Sequence, residues 1–153
     1  MELHESNRWQ YNGKPFTHEV ALLKMEEGFI GFIYEITDTL NGKKYIGKKQ
    51  MAGKRRLPPL KGQKRKRVKI VESDWEKYFG SSELLCALVS ERQADFTREV
   101  LFLCRSKGEL NYKEAELQFS KGVLLSGDYY NGIINCKIHR KHVSSLRRGS
   151  DVD

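Results

Sequence analysis

Tyr34 and Tyr45 stand eleven residues apart, on either side of an Asn41-Gly42 dipeptide. The flanking runs, 32–37 and 43–46, are aromatic and strand-like, and the second leads into Lys48 and Lys49. Asn-Gly between such runs predicts a tight hairpin, because both residues tolerate the positive φ of a type I′ turn. With a two-residue loop, Leu40 lies opposite Lys43, Ile36 opposite Gly47 and Tyr34 opposite Lys49. Side chains alternate faces along a strand. Tyr34, Ile36, Tyr45, Gly47 and Lys49 then share one face. Gly47 leaves a gap between the two phenols that a ligand or a backbone can enter. An ordinary hairpin with two packing tyrosines has the same pattern, and a loop longer by one residue reverses the faces.

A carboxylate is the next chemical group to place. Residues 108–125 read as a helix, and at 100° per residue Tyr112, Glu116, Phe119 and Val123 fall within a narrow arc. This phase turns Glu116 inward on an apolar stripe, with Lys113 and Glu114 pointing elsewhere. An unpaired inward carboxylate is costly, so Glu116 calls for a metal, a donor or a buried salt bridge to Lys or Arg.

Cations are concentrated behind the hairpin. From Lys43 to Ile70 there are thirteen Lys or Arg and no acid, within a chain of 153 residues carrying 28 Lys+Arg against 20 Asp+Glu, net +8. Such a block is the footprint of polyanion binding, although a solvated loop or a localisation tag has the same composition. It does not separate DNA from RNA or an acidic membrane. No apolar run is long enough to span a bilayer, and residues 1–7 are polar and acidic rather than leader-like. Cys86, Cys104 and Cys136 are too scattered for a disulfide framework and fit free thiols in a reducing cytoplasm. Cys136, His139 and His142 lack a fourth zinc ligand. The two histidines instead join a basic tail with Arg140, Lys141, Arg147 and Arg148.

The elements that must position these groups form one domain. Residues 1–28 are a lead-in, with a short helix or strand over 16–25. The hairpin fills 29–49. A basic insertion follows over 50–73, where Pro58-Pro59 rules out a continuous helix. Residues 74–79 return to the core on Trp75 and Tyr78. Ser81-Ser82 starts a helix that runs to about Arg92. Residues 96–104 are the third strand. The helix over 108–125, a turn at Gly127-Asp128 and a closing segment over 129–138 complete the domain. The basic tail spans 139–153.

Gly31-Phe32-Ile33-Tyr34 followed by Tyr45-Ile46-Gly47 resembles the paired signature of the GIY-YIG nucleases, with Phe32 as an extra residue at the glycine end. The run Asp38-Thr39-Leu40-Asn41-Gly42-Lys43-Lys44-Tyr45-Ile46-Gly47 resembles phage-encoded homing-type members of the Seg kind in particular. The resemblance covers residues 29–135. It implies an α+β fold in which helices flank a small three-stranded antiparallel sheet. It also implies cleavage of phosphodiester bonds in double-stranded DNA with Mg²⁺ or Mn²⁺, in the cytoplasm, or in a host's cytoplasm if the protein is phage-encoded.

Carried onto this chain, the resemblance makes Tyr34 the general base and has Tyr45 orient water or phosphate. Glu116 becomes the metal ligand, with Glu114 the weaker candidate, and Asn131 or Asn135 the associated asparagine. An arginine is expected soon after the second motif. Arg55 fits the direct count, Arg67 the count back from Ser81-Ser82, and Arg56 is adjacent. Unperturbed phenols titrate near ~10, so Lys44, Lys49 and Arg55 are expected to favour the phenolate. Lys44, Lys48, Lys49, Arg56, Lys64, Arg65, Lys66 and Arg67 are assigned to DNA phosphates. With one active site per chain, double-strand cutting needs two events or a transient dimer. The competing classes are a catalytically inactive module on the same fold and an RNA binder using the insertion and tyrosine stacking.

Overall fold

The structure is a computed structural model and describes residues 4–146, with Lys54 and Ser145 described by their backbone alone; Arg147 and Arg148 of the tail lie outside the described residues. In chain order the elements are β1 (Trp9–Tyr11), β2 (Lys14–Pro15), α1 (His18–Glu26), β3 (Gly31–Asp38), β4 (Lys44–Gln50), β5 (Ala52–Leu57), β6 (Arg67–Glu72), α2 (Glu83–Glu91), β7 (Phe96–Cys104) and α3 (Lys107–Ser120). Thr17, Ser82 and Ser106 cap the three helices, each accepting a hydrogen bond from a backbone N–H three residues on.

The main sheet has five strands, ordered β2-β1-β7-β3-β4, rather than three. The trio β7-β3-β4 is the expected one. The lead-in adds β1, parallel to β7 with Trp9 opposite Arg98, and β2, antiparallel to β1. Strands this short carry no readable alternation. They are held by buried groups: the Trp9 indole N–H donates to the Trp75 carbonyl (3.1 Å), and the Asn7 amide donates to the carbonyls of Gln93 (2.7 Å) and Phe96 (2.6 Å).

The β3–β4 hairpin closes differently from expectation. The Asp38 N–H donates to Lys43 O (2.8 Å), so the loop is the four residues 39–42. Gly42 alone takes a positive φ there, +77°. The Asn41 side chain instead accepts from the Lys43 N–H (2.9 Å). This moves the pairing by two residues: Tyr34 faces Gly47, Ile36 faces Tyr45 and Phe32 faces Lys49. A two-residue shift keeps the faces, so the five grouped residues still share one. The loop's anchor is Asp38. Its buried carboxylate accepts from both Arg92 terminal nitrogens (3.1 and 2.7 Å), from the Tyr130 hydroxyl (2.7 Å) and from the Leu40 N–H (3.1 Å). The Arg92 bonds above all hold its pKa down to about 2.

The sheet has two covered faces. On one, Phe32, Tyr34, Ile36, Phe96 and Val100 pack with α1, α2, Trp9, Trp75 and Phe79. Phe32 is fully buried among the rings of Trp9, Phe16, Tyr34 and Trp75, at centroid distances of 4.9 to 6.2 Å. Truncating such a residue to Ala costs about 3–5 kcal/mol. On the other face Ile33, Ile46 and Cys104 pack with Leu110 of α3 and with Val123. Cys104 is a free thiol whose pKa burial pushes up to about 12. At Tyr34 the β3–β7 register slips, Ile33 pairing with Phe102 and Tyr34 with Val100, so Leu101 is a bulge beside the first tyrosine.

The basic insertion is a second, two-stranded antiparallel sheet, β5–β6, with Leu57 opposite Arg67 and Ala52 opposite Glu72. Its foot is fixed to the main sheet. Met51 and Ala52 both donate backbone N–H bonds to Ile30 O, and Ser73 donates to Met51 O (2.8 Å). Among the described residues no helix is long and apolar enough to cross a membrane.

Candidate active site

The hairpin face places Tyr34 at the centre of an aromatic cluster. Its ring lies 6.3 Å from that of Tyr45, nearly parallel, and 5.9 Å from that of Tyr78, edge-on. A side chain at Gly47 would collide with the Tyr34 ring, whose Cζ lies 2.6 Å from where its Cβ would be. The expected gap is therefore filled by Tyr34 itself. Register explains this: directly opposite residues approach closely, and only glycine leaves room for the ring. Gly80, at φ +96°, closes the cluster from behind; a Cβ there would sit 3.2 Å from Tyr45 and 3.4 Å from the Tyr34 hydroxyl.

The two motif tyrosines differ. Tyr34 is 1% exposed, and burial raises its pKa well above the ordinary phenol value, with Tyr78, Tyr45 and Glu114 adding to the effect. This is opposite to the direction expected from nearby cations. Tyr45 is partly exposed, and its hydroxyl lies 3.3 Å from Ser81 Oγ. Tyr78, Gly80 and Ser81 thus join the cluster, beyond the roles of Tyr78 as a core anchor and Ser81 as a helix start. A Tyr-x-Gly-Ser run just before a helix cap is the signal that could have found them.

The α3 carboxylate that faces β4 is Glu114, not Glu116. Glu116 lies on the outer side of α3, 44% exposed and paired with Lys113 at 3.3 Å. Tyr112 and Phe119 of the supposed inward stripe are exposed as well, at 36% and 60%. The inward face is Leu110, Asn111, Glu114, Ala115 and Gln118, and most of it is small or polar. A phase drawn through the aromatics therefore points the wrong way round. Glu114 is 13% exposed and meets the outer edge of β4, bonded to the Lys48 backbone with Lys48 Nζ at 3.8 Å. Burial raises its pKa, and Lys48 opposes that rise.

Asn131 is buried and works on the backbone of β4. It accepts from Ile46 N–H (3.0 Å) and donates to Ile46 O (2.8 Å), which also accepts from the Gln118 amide (2.9 Å). It pins the edge of β4 between Tyr45 and Gly47, so it positions the motif rather than reaching past it.

The cations sort differently from expectation. Arg55, Arg56 and Arg67 all lie on the β5–β6 arm, exposed. Arg55 is three residues beyond the foot at Ala52, roughly 10 Å along an extended strand. Among the described residues, none of the three hydrogen-bonds with Tyr34, Tyr45 or Glu114. Lys44 turns to the opposite face and pairs with Glu35 at 3.3 Å. The cation at the cluster is Lys49, whose Nζ lies 4.1 Å above the Tyr78 ring and 2.7 Å from Asp74. Lys48 bonds Asn111 as well as Glu114. A groove of about 440 Å³ runs from these lysines between the arm's foot and α3, lined also by Ser73, Lys107 and Asn111.

A largely buried carboxylate at the strand edge, Glu114, fits a hard cation that keeps most of its own waters. The one group of three metal-ligating side chains among the described residues, His18, Glu72 and Glu76, lies elsewhere, where α1 meets the foot of the arm; there His18 Nε2 and Glu72 already pair at 2.9 Å.

A mixed α/β domain with paired tyrosines on adjacent strands, a helix-borne carboxylate at the edge of the second strand and a lysine-lined groove nearby has the parts of a nuclease domain. The chain belongs to the GIY-YIG endonuclease family of the segE type: the family model described as "Putative endonuclease segE, GIY-YIG domain" matches residues 9–134. The match begins at Trp9, so it takes in the two added strands. No curated protein and no solved structure matches the chain.

Proposed function

We propose that the protein is a metal-dependent endonuclease acting on double-stranded DNA. The observation that carries this reading is the convergence of Tyr34, Tyr45 and Glu114 on the edge of β4 around Gly47. In this reading Tyr34 accepts the proton of the attacking water. Tyr45, steadied by Ser81, orients the water or the phosphate. Lys49, rather than Arg55, favours the phenolate and balances the charge that develops on phosphorus. Glu114 holds the divalent cation, in preference to Glu116. When bound, a Mg²⁺- or Mn²⁺-type ion supplies polarisation of the phosphate and stabilisation of the leaving oxygen. Asn131 keeps the strand edge in place. Lys48, Lys107 and the arm cations Lys64, Arg65, Lys66 and Arg67 hold phosphates.

The test is plasmid cleavage with Mg²⁺, with EDTA, and with two single variants. Glu114→Ala is expected to lose metal-dependent nicking, and Glu116→Ala to keep it within a few-fold of wild type. The reverse pattern restores Glu116 as the ligand. Retention of RNA without cleavage of any DNA overturns the nuclease reading.

A further inference from the structure

The β5–β6 arm does more than add charge. Between Gly53 and Val71 it carries nine Lys or Arg and no acid. Its strands pair only with each other, and β6 is exposed at every residue. Arg55 and Lys69 stand directly opposite, a like-charge pair that weakens an isolated ribbon. The other face exposes Val68 (59%) and Ile70 (70%), with Arg56 opposite Val68. A free ribbon gains nothing from either feature, and a polyanion with an apolar inner surface relieves both.

The dimensions narrow the partner. Two strands about 4.8 Å apart, six residues long, make a ribbon roughly 20 Å in length. The major groove of B-DNA, about 12 Å wide, admits a two-stranded ribbon, and its floor offers thymine methyls and base acceptors. The foot is rigid, through Ile30, Met51 and Ser73, and it leaves the same strand that carries Tyr45 and Lys49.

We infer that the arm lies in the major groove to one side of the cut, with Val68 and Ile70 against base edges and Arg55, Arg67 and Lys69 curling back to the phosphates. This rests on the reading of the protein as one that acts on duplex DNA. It makes Val68, Ile70 and Arg56 specificity-determining residues. The bases they read lie roughly six base pairs from the scissile bond, the arm's length divided by about 3.4 Å per pair.

Two experiments test it. Gel shifts of randomised 40-base-pair duplexes in EDTA, with guanine N7 methylation as the major-groove probe, need no cleavage. Methylation on one flank is expected to interfere with binding. Arg55→Gln/Lys69→Gln is expected to make the log–log salt slope less steep by about two. Sequencing of plasmid cut sites then compares wild type with Val68→Ala/Ile70→Ala. That double variant should flatten the flanking base preference several-fold and leave the salt slope unchanged. Both pairs are exposed, so thermal melting is expected to match wild type. An unaltered preference, or displacement by the minor-groove ligand distamycin with no N7 interference, overturns the assignment. Flank-specific N7 interference in a protein that never cuts would sink the nuclease proposal while leaving the arm in the groove.

Discussion

The tyrosine cluster and the basic arm leave the same strand, β4, yet they are built on opposite principles. The cluster is buried, aromatic and held by short-range packing; its titratable groups, Tyr34, Tyr78 and Glu114, are all pushed toward their neutral forms, chiefly by burial. The arm is exposed, cationic and held only by its own ladder and its foot. In the cluster a displacement of one ångström disturbs chemistry, because reacting groups must be placed to within a fraction of that. In the arm a single side chain is one of many additive contacts to a regular polymer. A division of labour follows, with rate in the cluster, and affinity and choice of site in the arm.

The strongest way to break that comparison is Tyr34→Phe. It is expected to lower the cleavage rate by ~10²–10⁴-fold, with gel-shift affinity unchanged. Because burial raises the Tyr34 pKa, the phenolate fraction of the free protein grows about tenfold per pH unit throughout the neutral range. The wild-type rate should therefore climb with pH, and a plateau below pH 8 would point to another base.

A smaller effect tests whether the cluster's rigidity comes from the loop behind it. Asp38→Ala breaks the buried bonds to Arg92, Tyr130 and Leu40 and should cost about 3 kcal/mol of stability, measured by thermal or urea unfolding. The sign with pH is set by the depressed pKa, about 2 against an ordinary 3.8. Wild type holds this stabilisation above about pH 4 and loses it as the pH falls through about 2. The gap between wild type and variant should close over that interval. A gap that stays constant would place the stabilisation in packing rather than in charge. The arm's salt slope should not change.

The smallest effect per residue is expected at the arm tip. Replacing Lys64, Arg65 and Lys66 with Gln should make the salt slope of DNA binding less steep by up to about three. The cleavage rate at saturating DNA should stay as it was. An unchanged slope would take the tip off the DNA.

Much of this was legible along the chain. The three central strands, the Ser82-capped helix and the shared face of Tyr34, Tyr45 and Gly47 all follow from local signals: alternation, a cap and a hairpin turn. The hairpin loop is two residues longer than Asn41-Gly42 predicts, because Asn41 bonds the Lys43 N–H with its side chain instead of adopting positive φ. The faces stay intact because the period is two. The phase of α3 does not follow from its aromatics, because hydrophobicity is a guide to burial only where the buried face is apolar. Here the face toward β4 carries Asn111, Glu114 and Gln118, which serve the strand edge.

The sequence by itself determined the family, the paired tyrosines and the charge of the arm, since each lies in contiguous residues whose chemistry is local. Tertiary structure alone decided which glutamate meets β4, which cation reaches the phenols and where Asn131 spends its hydrogen bonds. Those contacts join residues 29 to 85 positions apart in the chain. They depend on helix rotation and strand registry, which only packing sets.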